Sequence, residues 1–156
     1  MKISEDFSVV IPLQNQQDTV METLESVFNQ TRKPAEVIVV DAGSSDDGPE
    51  RIESRYGDRV RIIYTYPRVI EDLRSLGMQH ANSELIGFVD ACSTLPPKYL
   101  EEIETVANLR SGTNTATPLF LFGTKKNRSK LQKLRRLSDQ LFELIGKHGR
   151  KVQKFA

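Results

Sequence analysis

Residues 36–46 read Glu-Val-Ile-Val-Val-Asp-Ala-Gly-Ser-Ser-Asp. Val37 to Val40 are apolar, mostly β-branched and without polar alternation, which suits a strand covered on both faces, as in a parallel sheet. The run stops at Asp41, and the polar stretch after it contains Gly43, a residue able to take positive φ or to admit a close neighbour. Phe7–Leu13 and Leu85–Val89 repeat the apolar pattern, and Arg59–Tyr64 is a more exposed version.

Helical spacing fills the gaps between these runs. Val20, Leu24, Val27 and Phe28 follow i, i+4, i+7, i+8, with Asp18 placed to cap the start. Ser44 and Asp46 stand where the next helix would be capped. Ile70, Leu73, Leu76 and Gly77 predict a third helix ending near Asn82. Pro97 is placed to open a fourth, through Leu100, Ile103 and Val106. Strand and helix in alternation predict an α/β, Rossmann-like doubly wound, mostly parallel sheet. In such a sheet, ligands bind outside the carboxyl ends of the strands, where the strand order reverses. Right-handed crossovers bring Pro12 to Asn15, Asp41 to Asp46 and Asp90 to Ser93 to that one edge. Asp41 is an acceptor for an imino or ribose hydroxyl donor, and Asp90 is suited to a ribose hydroxyl or a metal.

Composition narrows the class. The chain has 156 residues, 38% hydrophobic and 28% charged, as expected of one ordinary globular domain. No apolar run approaches the roughly 20 residues that span a bilayer, and the start lacks the pattern of a secretory signal. One cysteine, Cys92, excludes an internal disulfide and a multi-cysteine zinc site. A cytoplasmic location follows as the expectation. The net charge of +1 hides an asymmetry: residues 125–156 carry eleven Lys/Arg against Asp139 and Glu143, leaving residues 1–124 at −8. Residues 111–124 predict a linker, with one more short strand at Leu119–Phe122. Leu131, Leu134, Leu137, Leu141, Leu144 and Ile145 form an apolar stripe on a basic amphipathic helix within 125–156.

The motifs, taken in order, resemble family 2 glycosyltransferases. Phe7-Ser8-Val9-Val10-Ile11-Pro12, Asn15 and Thr23 to Thr31 are similar to the family's opening, and Glu36 to Asp46 to its second strand. Arg74-Ser75-Leu76-Gly77 is similar to its Arg-Asn-x-Gly helix. Ile86 to Cys92, followed by Leu95-Pro96-Pro97, is similar to the strand bearing its DxD motif. The resemblance runs from Phe7 to Leu109. It implies a GT-A fold, a nucleotide-binding domain over residues 1–110, and a nucleoside-diphosphate sugar, UDP- or GDP-linked, as ligand. Carried over by position, Pro12, Asn15, Gly43, Ser44 and Ala91 line the nucleotide cleft, Asp41 contacts the base, and Arg74 supports the diphosphate or the fold. Asp90 is the first DxD aspartate, a ligand for Mn2+ or Mg2+.

The chain departs from the pattern at four places. Gln14 replaces the usual aromatic before Asn15, removing a base-stacking contact, and Gln16 and Ala42 replace acids. Cys92 replaces the second DxD aspartate, and a thiol is a poor ligand for hard ions; its bland role is that of a small buried apolar residue. In this degenerate DxD site only Arg68, Arg74 and Lys98 are at hand to offset a diphosphate's charge. The length implies a truncated form without the acceptor half, and beyond Glu104 only Asp139 and Glu143 remain as acids. His80 and His148 read as surface residues. Two functions stay open: an enzyme domain that binds a nucleotide sugar, or an inactive module of the same fold acting through its basic helix. That helix completes the core, pairs with a second copy or partner chain through residues 128–147, or lies on the inner face of an anionic membrane. Nucleic acid is disfavoured, because the basic residues lack interleaved aromatics.

Overall fold

The computed structural model describes residues 6–83, 85–110 and 122–123, with side chains described to residue 104. Five strands form one sheet: β1 Phe7–Leu13, β2 Glu36–Asp41, β3 Arg61–Tyr64, β4 Leu85–Phe88 and β5 Phe122–Gly123. Their order is β3-β2-β1-β4-β5, with β1 to β4 parallel and β5 antiparallel to β4. The helices are α1 Val20–Phe28, α2 Gly48–Tyr56, α3 Ile70–His80 and α4 Tyr99–Arg110. This is the doubly wound sheet expected from the unalternating apolar runs.

β1 is central, and all seven of its residues are buried. Successive side chains of a strand point to opposite faces, so β1 and β2 feed two cores. Phe7, Val9, Ile11, Leu13, Val37 and Val39 join residues of α1, α2 and α4 on one face. Val10, Ile38 and Val40 join Leu73 and Met78 of α3 on the other. Full burial of each such aliphatic side chain contributes about 1.5–3 kcal/mol. Burial on both faces is what the missing polar alternation reports.

Three boundaries differ from expectation, each for a local reason. α1 starts at Val20 after Thr19 with no side-chain cap, and Asp18 stays exposed. β3 starts at Arg61, because Gly57–Arg59 turn as a short 3-10 helix, with Gly57 at φ +50°. α4 starts at Tyr99 rather than Pro97, after a turn closed by Tyr99 N–H on Pro96 O. Of the strand expected at Leu119–Phe122 only Phe122 lies among the described residues, where it begins β5. The basic helix of 125–156, His148 and the rest of the expected linker lie outside the described residues. Among the described residues no helix is long and apolar enough to cross a membrane.

At the amino end of the sheet a polar knot ties β1, β2 and the turn before β4. The buried Ser8 hydroxyl donates to Glu36 and accepts from Ser83 N–H, while Asn82 donates to Glu36 through backbone and side chain. Partial burial raises the Glu36 pKa, but the donors from Ser8, Asn82 and Ser83 together outweigh it and hold the carboxyl below its ordinary 4.5. A carboxylate lowered in the folded state contributes stability above its unfolded pKa and loses it as pH falls through the folded value. The melting temperature is therefore expected to drop as pH falls below 4.5, and Glu36→Gln to flatten that part of the profile. Parallel profiles for the two proteins in thermal melts across this range would exclude the assignment.

Candidate functional site

The carboxyl edge of the sheet opens beside β1. The β1–β4 ladder ends at Val10↔Phe88, followed by one bond from Val89 N–H to Val10 O, whereas the β1–β2 ladder runs on to Leu13↔Asp41. Pro12, two residues past Val10, has its backbone nitrogen on the β4 side, where no acceptor is needed. That is why a proline is tolerated in a central strand. β1 and β4 part here, at the point where the chain switches from one side of β1 to the other, which is where ligands of such sheets are held. Pro12, expected to line the cleft, is buried within β1 at this parting.

The loops after β1 and β2 are laced together. Asp41, 2% exposed, accepts from Gly43 N–H at 3.2 Å, from Ser44 N–H at 3.1 Å and from the Ser44 hydroxyl at 2.5 Å. Gly43 takes φ +73°, a left-handed backbone that side chains disfavour, which accounts for the glycine. Asn15 is also left-handed, at φ +52°, a conformation asparagine adopts more readily than most residues. Its N–H donates to Ser44 Oγ at 2.9 Å, and its Oδ1 accepts from Ser45 N–H at 2.8 Å. Both Asp41 oxygens, the Ser44 hydroxyl and the Asn15 carbonyl are therefore engaged within the loop pair. In this arrangement Asp41 fixes the loop's shape and does not present a free acceptor to a base.

Gln17 and Asp46 extend the lacing, and no motif or spacing along the chain had marked Gln17. Asp46 accepts from Gln17 N–H and from Gly48 N–H at the start of α2; Gln17 Oε1 accepts from Asp47 N–H, and Gln17 O from Arg51. Asp46 thus holds the start of α2 as expected, while Ser44 caps no helix. Ala42 is wholly buried in the α3-side core, so an acid there would be placed among Val10, Val40 and Phe88. Gln14 is exposed, with one long bond to Ala42 O.

Beyond β4, Asp90 to Ser93 form a turn closed by Ser93 N–H on Asp90 O at 2.9 Å. Ala91 is buried. Cys92 is exposed, which corrects the expectation of a buried apolar residue. Arg74, on α3, places its Nη2 2.7 Å from Asp90 Oδ1, while its Nε is buried without a hydrogen-bond partner. The sequence named both residues for this edge; their pairing joins α3 to the β4 turn. Arg68 and Lys98 are exposed, with no ion-pair partner among the described residues. His80, expected at the surface, is half-buried, with Nδ1 3.0 Å from Leu76 O.

The segment after Asp90 is held by α1. Buried Gln30 donates to Ser26 O and Pro96 O and accepts from Leu100 N–H. Ser26 Oγ accepts from Leu95 N–H, and Thr31 N–H donates to Pro97 O. A cleft of about 370 Å³ lies between α1 and Thr94–Pro97, lined by Glu22, Glu25 and Asn29 and by no cationic side chain. Its charge is wrong for a phosphate, so the β1–β4 edge is the better place for an anionic ligand.

Comparison with known proteins identifies the family and the fold. The family model described as glycosyl transferase family 2 matches residues 8–148, beyond the Phe7–Leu109 stretch that carries the sequence resemblance. The putative glycosyltransferase EpsH of Bacillus subtilis is 29% identical over 98 residues, 62% of this chain and 28% of EpsH. The uncharacterized glycosyltransferase YibD of Escherichia coli is 30% identical over 110 residues, 69% of this chain and 32% of YibD. The chain thus spans about a third or less of these two relatives. Among solved structures, S. aureus TarS 1–349 in complex with UDP superposes with TM-score 0.60 at 21% identity, covering 74% of this chain and 39% of TarS 1–349. Mannosyltransferase PcManGT of Pyrobaculum calidifontis, in complex with GDP-Man and Mn2+, gives 0.59 at 19% identity, covering 72% and 36%. At that identity the likeness establishes the fold, which is the GT-A arrangement.

Proposed function

The chain belongs to glycosyl transferase family 2, and on that premise we propose that it seats a nucleoside diphosphate sugar at the β1–β4 edge as the donor half of a sugar-transferring enzyme. The observation that carries the reading is the parting of β1 and β4 past Val10, with the Asp41 loop on one side and the Arg74–Asp90 pair on the other. The laced loops of Asn15, Asp41 and Ser44 form a rigid wall that needs no reordering when ligand arrives, which lowers the cost of binding. UDP and GDP are the nucleotides to test, because solved structures of the same fold contain UDP or GDP-mannose.

A divalent ion is the cofactor this fold implies, since the PcManGT structure contains Mn2+. The residues here do not fit it. Asp90 is taken up by Arg74 at 2.7 Å, the Cys92 thiol is a soft donor, and among the described residues no three His, Cys, Asp or Glu side chains gather. In this reading Arg68 and Lys98, whose charges are not spent on an ion pair among the described residues, supply the positive charge that a diphosphate needs, both on binding and as it departs with the bond electrons.

Calorimetric titration of UDP and GDP, with and without Mn2+, tests the proposal on the wild type and on Cys92→Asp. The wild type is expected to bind one of them at micromolar Kd, with Mn2+ changing affinity by less than about threefold. Cys92→Asp restores a hard carboxylate ligand and is expected to make Mn2+ strengthen binding by about tenfold or more. A wild type that binds neither nucleotide under any condition would overturn the reading.

A further inference from the structure

Four large apolar or aromatic side chains are exposed among the described residues, and all four lie on one segment: Tyr64, Tyr66, Val69 and Ile70. The segment leaves the carboxyl end of β3, next to the Asp41 loop. Tyr64, 59% exposed, is accounted for, because its hydroxyl donates to Glu53 at 2.8 Å. Tyr66 is 82% exposed, with no polar or ring partner among the described residues.

The backbone under Tyr66 is fixed on both sides. Thr65 N–H donates to Asp41 O at 2.8 Å, and the Pro67 ring lies 3.5 Å from where a Cβ would stand on Gly43. A large aromatic ring is thus carried in solvent on a stretch pinned to the Asp41 loop, which the reading above makes a wall of the nucleotide site. An aromatic anchored in backbone but free in side chain suits stacking on a flat partner, since little order is lost when it binds. The loop after β1, where the resembling family carries its stacking aromatic, offers only Gln14. Arg68, two residues further on, is exposed on the same segment.

We infer that Tyr66 is the stacking platform for the base of the nucleotide, so that the β3–α3 segment performs the contact that the loop after β1 lacks. The inference rests on the nucleotide-sugar reading above. It makes base affinity, rather than phosphate affinity, the property that Tyr66 controls. Stacking on an aromatic is tolerant of base identity, so UDP and GDP both depend on it.

The test titrates UDP into the full chain as wild type, Tyr66→Ala and Tyr66→Phe, and repeats each titration with inorganic pyrophosphate, which has no base. Tyr66→Ala is expected to weaken UDP by about tenfold or more and to leave pyrophosphate within about twofold, while Tyr66→Phe keeps wild-type affinity for both. Unchanged UDP affinity in Tyr66→Ala would remove the platform and leave the nucleotide reading standing. Equal losses for UDP and pyrophosphate would mean that the residue shapes the loop instead, and the inference would fall. If the wild type binds neither UDP nor GDP, the nucleotide reading fails and takes this inference with it.

Discussion

Gly77→Ala is expected to lower the unfolding free energy by about 2–3 kcal/mol, although alanine is the better helix former. Gly77 sits on α3 where the helix crosses β1 and β2. An added Cβ would stand 2.3 Å from Val10 Cγ1, 3.1 Å from Val40 Cγ2 and 3.2 Å from the second Val10 methyl. Val10 is fully buried in the core, which leaves its methyls little room to give, so the helix is expected to lift from the sheet. The gain in helix propensity is only about 1 kcal/mol, too small to offset a forced shift across a close-packed core. Lifting α3 also carries Arg74 away from Asp90. Urea denaturation measures the loss, and Val10→Ala supplies the control. Alone it leaves a cavity and destabilises; combined with Gly77→Ala it makes room for the new methyl, so the double variant should be more stable than additivity predicts by about 1 kcal/mol or more. A Gly77→Ala protein as stable as the wild type would show that the close approach is not a constraint.

Gln30→Ala is the second large effect, expected at about 3 kcal/mol from the cost of stranded buried polar groups. Gln30 is 0% exposed and makes three bonds: Nε2 to Ser26 O at 3.1 Å, Nε2 to Pro96 O at 2.7 Å, and Oε1 from Leu100 N–H at 3.0 Å. Truncation removes them all and opens a void among the last turn of α1, Pro96 and the first turn of α4. The same bonds set the path of the chain between Asp90 and α4, including Lys98, so nucleotide affinity should fall along with stability. Gln30→Glu separates the amide donor from mere volume. It keeps an acceptor for Leu100 N–H but, once ionised, turns a carboxylate toward two carbonyl oxygens. Burial and those oxygens would raise its pKa, and a raised acid loses folded-state stability as pH rises through its unfolded value. Gln30→Glu should therefore be nearer to wild type at acid pH than at neutral pH. Equal destabilisation at both would mean that packing, not hydrogen bonding, is what Gln30 supplies.

The strands were legible because burial on both faces writes itself into composition: Val37–Val40 and Phe7–Leu13 admit almost no polar residue, apart from Ser8, whose hydroxyl finds Glu36 and Ser83. Helix starts were less legible. A side chain able to cap, such as Asp18, or a proline able to open a helix, such as Pro97, marks a neighbourhood, and tertiary contacts choose the residue within it. Gln30 was hidden altogether. It belongs to a quoted motif, yet nothing in its neighbours announces bonds to residues 66 and 70 positions away.

Within the site, local order fixed which residues arrive at the carboxyl edge. Asp41 and Asp90 each end an apolar run, and parallel strands with right-handed crossovers send both ends the same way. That much needs only the pattern along the chain. What each side chain does on arrival depends on partners far off in sequence. Asp41 turns into its own loop because Asn15 and Ser44 meet there, Pro12 is tolerated in a central strand because β4 ends its ladder early, and Asp90 meets Arg74 because Gly77 lets α3 lie close to β1. Sequence alone determined the fold and which residues reach the edge proposed as the site, since periodicity and burial are local. Only the tertiary structure decided which polar groups are spent on one another and which stay free, because hydrogen bonds and ion pairs are settled by distances across the sheet.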